Sequence, residues 1–218
     1  RFYQPTSGQV FIDGIDYRNR SLRWLQSNLG VVLQNAHVFR GTVLENIRYG
    51  RLTASDSDVI HAAETVGAHE FINSLENAYQ TEVGEDGDML SVGQKQLVSF
   101  ARAILADPQI LVMDEATSSV DTVTEAKIQR SLGQVLSGRI SFVIAHRLST
   151  IRNADQIVVL DEGEILEIGD HAQLIRSGGH YAKLYYQQSL QEATRDWSSE
   201  RSNDQTDRGD DLVEPSPA

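Results

Sequence analysis

The sequence contains no cysteine, which excludes a disulfide framework and a thiolate zinc site and fits a reducing compartment. No apolar run approaches the roughly 18 residues a membrane-spanning helix requires, and no signal-peptide pattern opens the chain. Basic charge is also short. Lys and Arg number 19 against 31 Asp and Glu, for a net charge of −12, which argues against a general nucleic-acid binder. The acid is uneven: residues 191–218 have almost no apolar periodicity and a surplus of carboxylates, the pattern of a disordered acidic tail. What remains of the 218 residues is enough for one domain with a sizeable core. The chain starts at Arg1 without Met and in mid-pattern, which predicts a fragment of a longer protein.

Short apolar runs alternate with amphipathic stretches. "QVFIDGID" predicts strands around a turn at Asp13-Gly14, and "LGVVLQ" predicts a buried strand ending at Gln34. "SDSDVIHAAETVGA" has a Ser cap and helical spacing at Val59, Ile60, Ala63 and Val66. "GQKQLVSFARAILAD" predicts a helix stopped near Asp107-Pro108, followed by the apolar strand "QILVMDE". "TVTEAKIQRSLGQVL" predicts a helix with Thr122 and Glu125 as a capping box, then "RISFVIAH" a strand. "QIVVLDEGEILEIG" reads as two strands across Glu162-Gly163, and "HAQLIRSGGHYAKLYYQQ" as two helices broken by Gly178-Gly179. Strands alternating with helices predict an α/β fold with a mainly parallel sheet.

In open α/β sheets ligands gather at the carboxyl ends of strands. Three predicted strands end in polar residues: Gln34, Asp114-Glu115 and His146. One such ending is common by chance; an amide, an acid pair and an imidazole together suggest a shared site. An apolar strand feeding an Asp places a carboxylate near magnesium in many nucleotide hydrolases. A Glu beside it is suited to polarise an attacking water. A solvated strand end explains the same pair, and a satisfied core histidine explains His146 taken alone.

In "MLSVGQKQL", residues 89–97, Ser91 and Gln94 form a capping box. Capping does not explain Gly93, a poor helix former in a first turn. A glycine there lets a phosphate approach the exposed amides at the positive end of the helix dipole.

Read in order, these pieces resemble the nucleotide-binding domain of an exporter-type ATP-binding cassette (ABC) transporter. Gln34 matches the Q-loop, "LSVGQ" the signature, "ILVMDE" the Walker B strand, "SSVD" (residues 118–121) the D-loop and His146 the H-loop. The flanks "LRWLQSNLGVVLQNAHVFRGTVLENIRYG", "TEVGEDG" and "AHRLSTIRNADQIVVLDEGEILEIGDHAQLI" resemble exporters in particular. The resemblance covers residues 1–188, with a helical signature subdomain at about 43–106, and leaves 189–218 as the tail. It implies a P-loop NTPase, RecA-like α/β core, incomplete at its N-terminus.

By the same resemblance ATP and Mg²⁺ are the cofactors. Asp114 and Gln34 would serve the metal, Glu115 would be the general base, and His146 would contact the γ-phosphate. Ser91, Gly93 and Gln94 would touch the γ-phosphate of ATP held by a second nucleotide-binding domain, with Asp121 reaching across a head-to-tail dimer. The domain would lie at the cytoplasmic face of a membrane, joined to transmembrane helices outside this chain, and would power export.

Three departures from the family pattern stand out. The phosphate loop G-x-x-x-x-G-K-[ST] is absent, because Lys95, Lys127 and Lys183 are the only lysines and none follows Gly or precedes Ser or Thr. Val92 stands where the signature usually has Gly, and Leu97 where Arg is common. Losing three charge-assisted hydrogen bonds of about 1.5–3 kcal/mol each would weaken ATP binding by on the order of 10³–10⁶. The isolated chain is therefore expected to be inactive and to expose apolar surface. The alternatives are an ABC ATPase without transport, and a binding or regulatory module that has lost its nucleotide loop.

Overall fold

The computed structural model describes residues 3–84, 88–115, 130–145 and 148–191, less the side chains of Glu115 and Ser149. The chain divides into two compact units, Arg1–Ile144 and Ala145–Ala218.

The first unit opens with a hairpin of β1 (Phe11–Ile12) and β2 (Ile15–Asp16). Asp13 and Gly14 turn it at φ of 50° and 69°, the doubly positive geometry of a type I′ hairpin turn. Helix α1 (Leu22–Asn28) is capped by Ser21, whose hydroxyl accepts from the Trp24 amide, and leads into β3 (Leu29–Val32). The strand ends two residues short of Gln34.

A helical block follows. β4 (Gly41–Thr42) pairs antiparallel with β5 (Glu82–Val83). Between them lie α2 (Val43–Arg48), α3 (Asp56–Thr65) and α4 (His69–Ser74). Capping boxes start α2 (Thr42 with Glu45) and α3 (Ser55 with Asp58). The Thr42 backbone and side-chain hydrogen bonds hold the Glu45 carboxyl below its ordinary range.

Helix α5 (Val92–Ala106) is the spine of the unit. It buries Leu97, Val98, Phe100, Ala101 and Leu105, and packs against α2, α3 and β3. Leu97 is 2 % exposed, so the residue that departs from the family pattern sits in the core, where an apolar side chain is worth about 1.5–3 kcal/mol. The helix stops at Asp107, which turns left-handed (φ 48°) ahead of Pro108.

The chain then enters β6 (Ile110–Glu115), and residues 130–136 are helical (α6) before β7 (Ile140–Ala145). The sheet order is β3-β6-β7. β3 and β6 are parallel, with Leu29 opposite Ile110 through Val32 opposite Met113. Val32, Leu111 and Met113 join the hydrophobic core, and Val143 packs against it. The alternate positions Val31, Leu33, Ile140, Phe142 and Ile144 are all more than half exposed. Both faces of this sheet are thus apolar, the composition of a sheet meant to be covered on both sides. The parallel arrangement holds for β3 and β6, while the two-stranded pairs β1-β2, β4-β5 and β8-β9 are antiparallel.

The second unit has helix α7 (Leu148–Arg152) and a hairpin of β8 (Ile157–Asp161) and β9 (Glu164–Gly169), turned at Glu162 and Gly163. Helix α8 (His171–Ser177) is capped by Asp170, and residues 180–191 form a further helix (α9). The Glu167 carboxylate accepts from the His180 and Tyr181 amides, both at 2.9 Å, and so closes the start of α9. A Cβ on Gly179 would collide with that carboxylate. His171 Nδ1 lies 2.7 Å from the Tyr181 hydroxyl, and its ring packs against Tyr185.

The predicted Thr122–Glu125 cap and the acidic tail lie outside the described residues, apart from residues 189–191, which end α9 as helix. Among the described residues no helix is long and apolar enough to cross a membrane.

Candidate functional site

Two candidate positions follow the same sheet edge because of a register. Val32 and Met113 are partners in the parallel ladder, so both strands run out in the same direction at the same level. Gln34 follows two residues later in a bend and is exposed. Asp114 and Glu115 are the last residues of β6, with Asp114 half-buried. An amide oxygen and a carboxylate at one strand edge form a hard-oxygen donor set, the kind magnesium accepts. Among the described residues there is no group of three His, Cys, Asp or Glu side chains that could hold a metal alone.

β7 adjoins β6 and ends at Ala145, one residue before His146. His146, Ser118, Asp121 and the Glu115 side chain lie outside the described residues.

The signature stretch sits at the start of α5. Ser91 Oγ accepts from the Gln94 amide at 3.3 Å, and Gln94 Oε1 accepts from the Ser91 amide at 2.9 Å. Val92 takes the first helical position and is 53 % exposed, so the departure from Gly leaves helix geometry intact. Gly93 is buried, Gln94 half-buried and Ser91 exposed. Of this stretch, Ser91 and Val92 meet solvent most directly.

A cleft of about 420 Å³, lined by Glu64, His69, Glu70, Arg130, Ser131 and Gln134 among others, includes none of the candidate residues.

Two residues that sequence reasoning passed over bond to the segment that follows Gln34. Asn46 is a buried amide at 3 % exposure, and Arg102 reaches it from α5. The signal for this region was present: Thr42-x-x-Glu45 is a capping-box pattern, and it announces the helix that carries Asn46.

The family model for ABC transporters matches residues 1–118. The chain belongs to the ABC transporter family.

Relatives and one solved exporter structure sharpen the likeness. The chain is 53 % identical over 188 residues to the uncharacterized ABC transporter ATP-binding protein YfiC of Bacillus subtilis, covering 86 % of this chain and 31 % of that protein. It is 48 % identical over 184 residues to a fatty acid ABC transporter ATP-binding/permease protein of Mycobacterium tuberculosis, covering 84 % and 29 % respectively. Among solved structures, a bacterial Atm1-family ABC exporter with ATP bound matches with a TM-score of 0.79 and 44 % identity, over 86 % of this chain and 33 % of that one. The chain therefore spans about a third of the length of these proteins. The fold is that of an ABC exporter nucleotide-binding domain, a P-loop NTPase.

Proposed function

We propose that this ABC domain is the ATP-hydrolysing part of an exporter, working in a head-to-tail pair with a second nucleotide-binding domain at the cytoplasmic face of a membrane. The observation that carries this reading is the β3–β6 register, which puts Gln34 and the Asp114-Glu115 pair on one rim.

Asp114 and Gln34 would hold the magnesium shell. When bound, that ion neutralises charge on the β- and γ-phosphates. Glu115 takes a proton from the attacking water as its oxygen bonds to the γ-phosphorus, a general-base role worth roughly 10²–10⁴ in rate. ADP leaves with the electrons of the broken bond, and His146 holds the γ-phosphate by a hydrogen bond. Ser91 and Gln94, at the capped start of α5, serve the γ-phosphate of ATP bound to the partner domain, with Gly93 keeping the first turn free of a side chain. Asp121 reaches across the same interface. The 44 % identical Atm1-family ABC exporter supports an export role.

The phosphate loop would come from outside these 218 residues, so the isolated chain neither binds ATP usefully nor hydrolyses it. The test is Glu115→Gln in the intact protein. Phosphate release should fall by at least 10² while equilibrium ATP binding stays within a few fold. Turnover near wild type overturns the base assignment. Saturable micromolar ATP binding by the isolated chain overturns the need for an external loop.

A further inference from the structure

Residues 33–40, which carry Gln34 away from β3, belong to no helix or strand. Their position is set instead by a polar hub around Arg102 and Asn46. The Arg102 guanidinium donates through Nε to the Asn46 carbonyl at 2.9 Å, through Nη2 to Asn46 Oδ1 at 3.1 Å and through Nη1 to the His37 carbonyl at 3.1 Å. All three acceptors are neutral oxygens. Asn46 Oδ1 also accepts from the Phe39 amide at 2.8 Å, and its Nδ2 donates to the carbonyls of Phe39 at 2.8 Å and Thr42 at 3.0 Å. That uses both acceptor sites and both donors of the amide.

Two rings close the hub on the outside. The guanidinium carbon sits 5.1 Å from the centroid of Phe39 and 5.9 Å from that of Tyr49, and those rings lie 4.7 Å apart. The loop after Gln34 is thus gripped by the helix that starts at Ser91, through one side chain with a planar fork of donors. A lysine cannot reproduce that fork.

We propose that Arg102, acting through Asn46, is a positioning residue for Gln34: it fixes residues 37–42 to α5, so that Gln34 is held at the rim it shares with Asp114. The functional half of this rests on the reading of Gln34 as a magnesium and water ligand; the structural half does not.

The experiment uses the intact protein with Arg102→Lys, and Asn46→Asp as a second variant. The aspartate keeps an acceptor for Arg102 and loses the donations to Phe39 and Thr42. Hydrogen exchange of the nucleotide-free protein, read by mass spectrometry, should speed up at least tenfold in peptides covering 35–42 and stay within twofold in 56–65. The Mg²⁺ concentration for half-maximal ATPase should rise at least fivefold, with KM for ATP at saturating Mg²⁺ unchanged within twofold. Unchanged exchange in 35–42, or an equal increase in 56–65, overturns the positioning role. Gln34→Ala separates the two halves. A Mg²⁺ shift with Gln34→Ala but not with Arg102→Lys overturns the inference alone. No shift with Gln34→Ala overturns the reading of Gln34 and, with it, the functional half.

Discussion

Val32 lies directly opposite Met113 in a parallel ladder, and this one pairing puts Gln34 and Asp114 beyond the same end of the two strands. If Asp114 serves a divalent cation there, the charge matters more than the shape. In the intact protein, Asp114→Asn is expected to raise the Mg²⁺ needed for half-maximal ATP hydrolysis by at least tenfold. Its thermal unfolding should stay near wild type, because Asp114 is half-buried at the end of its strand. A Mg²⁺ titration of activity, with a melting curve beside it, checks both.

The two roles of Ser91 can be separated by one substitution. Aspartate caps a helix about as well as serine, whereas alanine costs about 1 kcal/mol. Ser91→Asp should therefore keep stability within about 0.5 kcal/mol, and Ser91→Ala should lose about 1 kcal/mol. Aspartate also puts a negative charge where a phosphate is to sit. In the intact protein, Ser91→Asp should lower turnover at least tenfold, with turnover falling less in Ser91→Ala. Equal activity in the two variants would leave Ser91 with its cap alone.

Gly50 ends the α2 region at a close approach to α5. A Cβ there would meet the Arg102 carbonyl, which is backbone and cannot swing aside. Gly50→Ala is expected to destabilise the fold by about 1–3 kcal/mol, measured by chemical denaturation. A neutral effect would mean that the two helices can part at no cost.

Tyr79 supplies a pH test of the helical block. Burial, and then the charge of Glu64, push its hydroxyl up to about 12, and it lies 2.9 Å from His69 Nδ1. The folded state thus holds this proton more tightly than the unfolded chain, where tyrosine titrates near its ordinary value of about 10. Its contribution is full below pH 10 and is lost as pH rises from 10 to 12. Denaturation midpoints across that window should fall more steeply for wild type than for Tyr79→Phe.

The bare face of the β3-β6-β7 sheet predicts the behaviour of the isolated chain. Val31, Leu33, Phe142 and Ile144 all expose more than half of their surface. The chain should bind a hydrophobic dye and self-associate. Replacing Phe142 and Ile144 together by threonine should reduce both, read by fluorescence and light scattering.

Much of this arrangement is legible in the sequence. Periodicity locates α3, α5, β6 and β7, and turn chemistry locates Asp13-Gly14 and Glu162-Gly163. The motif order identifies the family before any fold is known. Helices α1, α2 and α4 are harder to read, since 6 or 7 residues carry barely two turns of periodicity. "LGVVLQ" reads as buried, yet Val31 and Leu33 are exposed, because an apolar run does not say which of its faces this chain covers. The Arg102–Asn46 hub is invisible in the sequence for a different reason. It joins residues 56 positions apart through backbone carbonyls, which every residue possesses.

The cap on α9 joins two positions that a residue-by-residue survey would treat as independent. Glu167 can fill the space it occupies only while residue 179 lacks a side chain, and its carboxylate then serves the two amides that open α9. Across descendants of this gene, 167 and 179 should behave as a single heritable choice. A lineage that replaces Gly179 is expected to have given up Glu167 first, and to cap α9 from elsewhere.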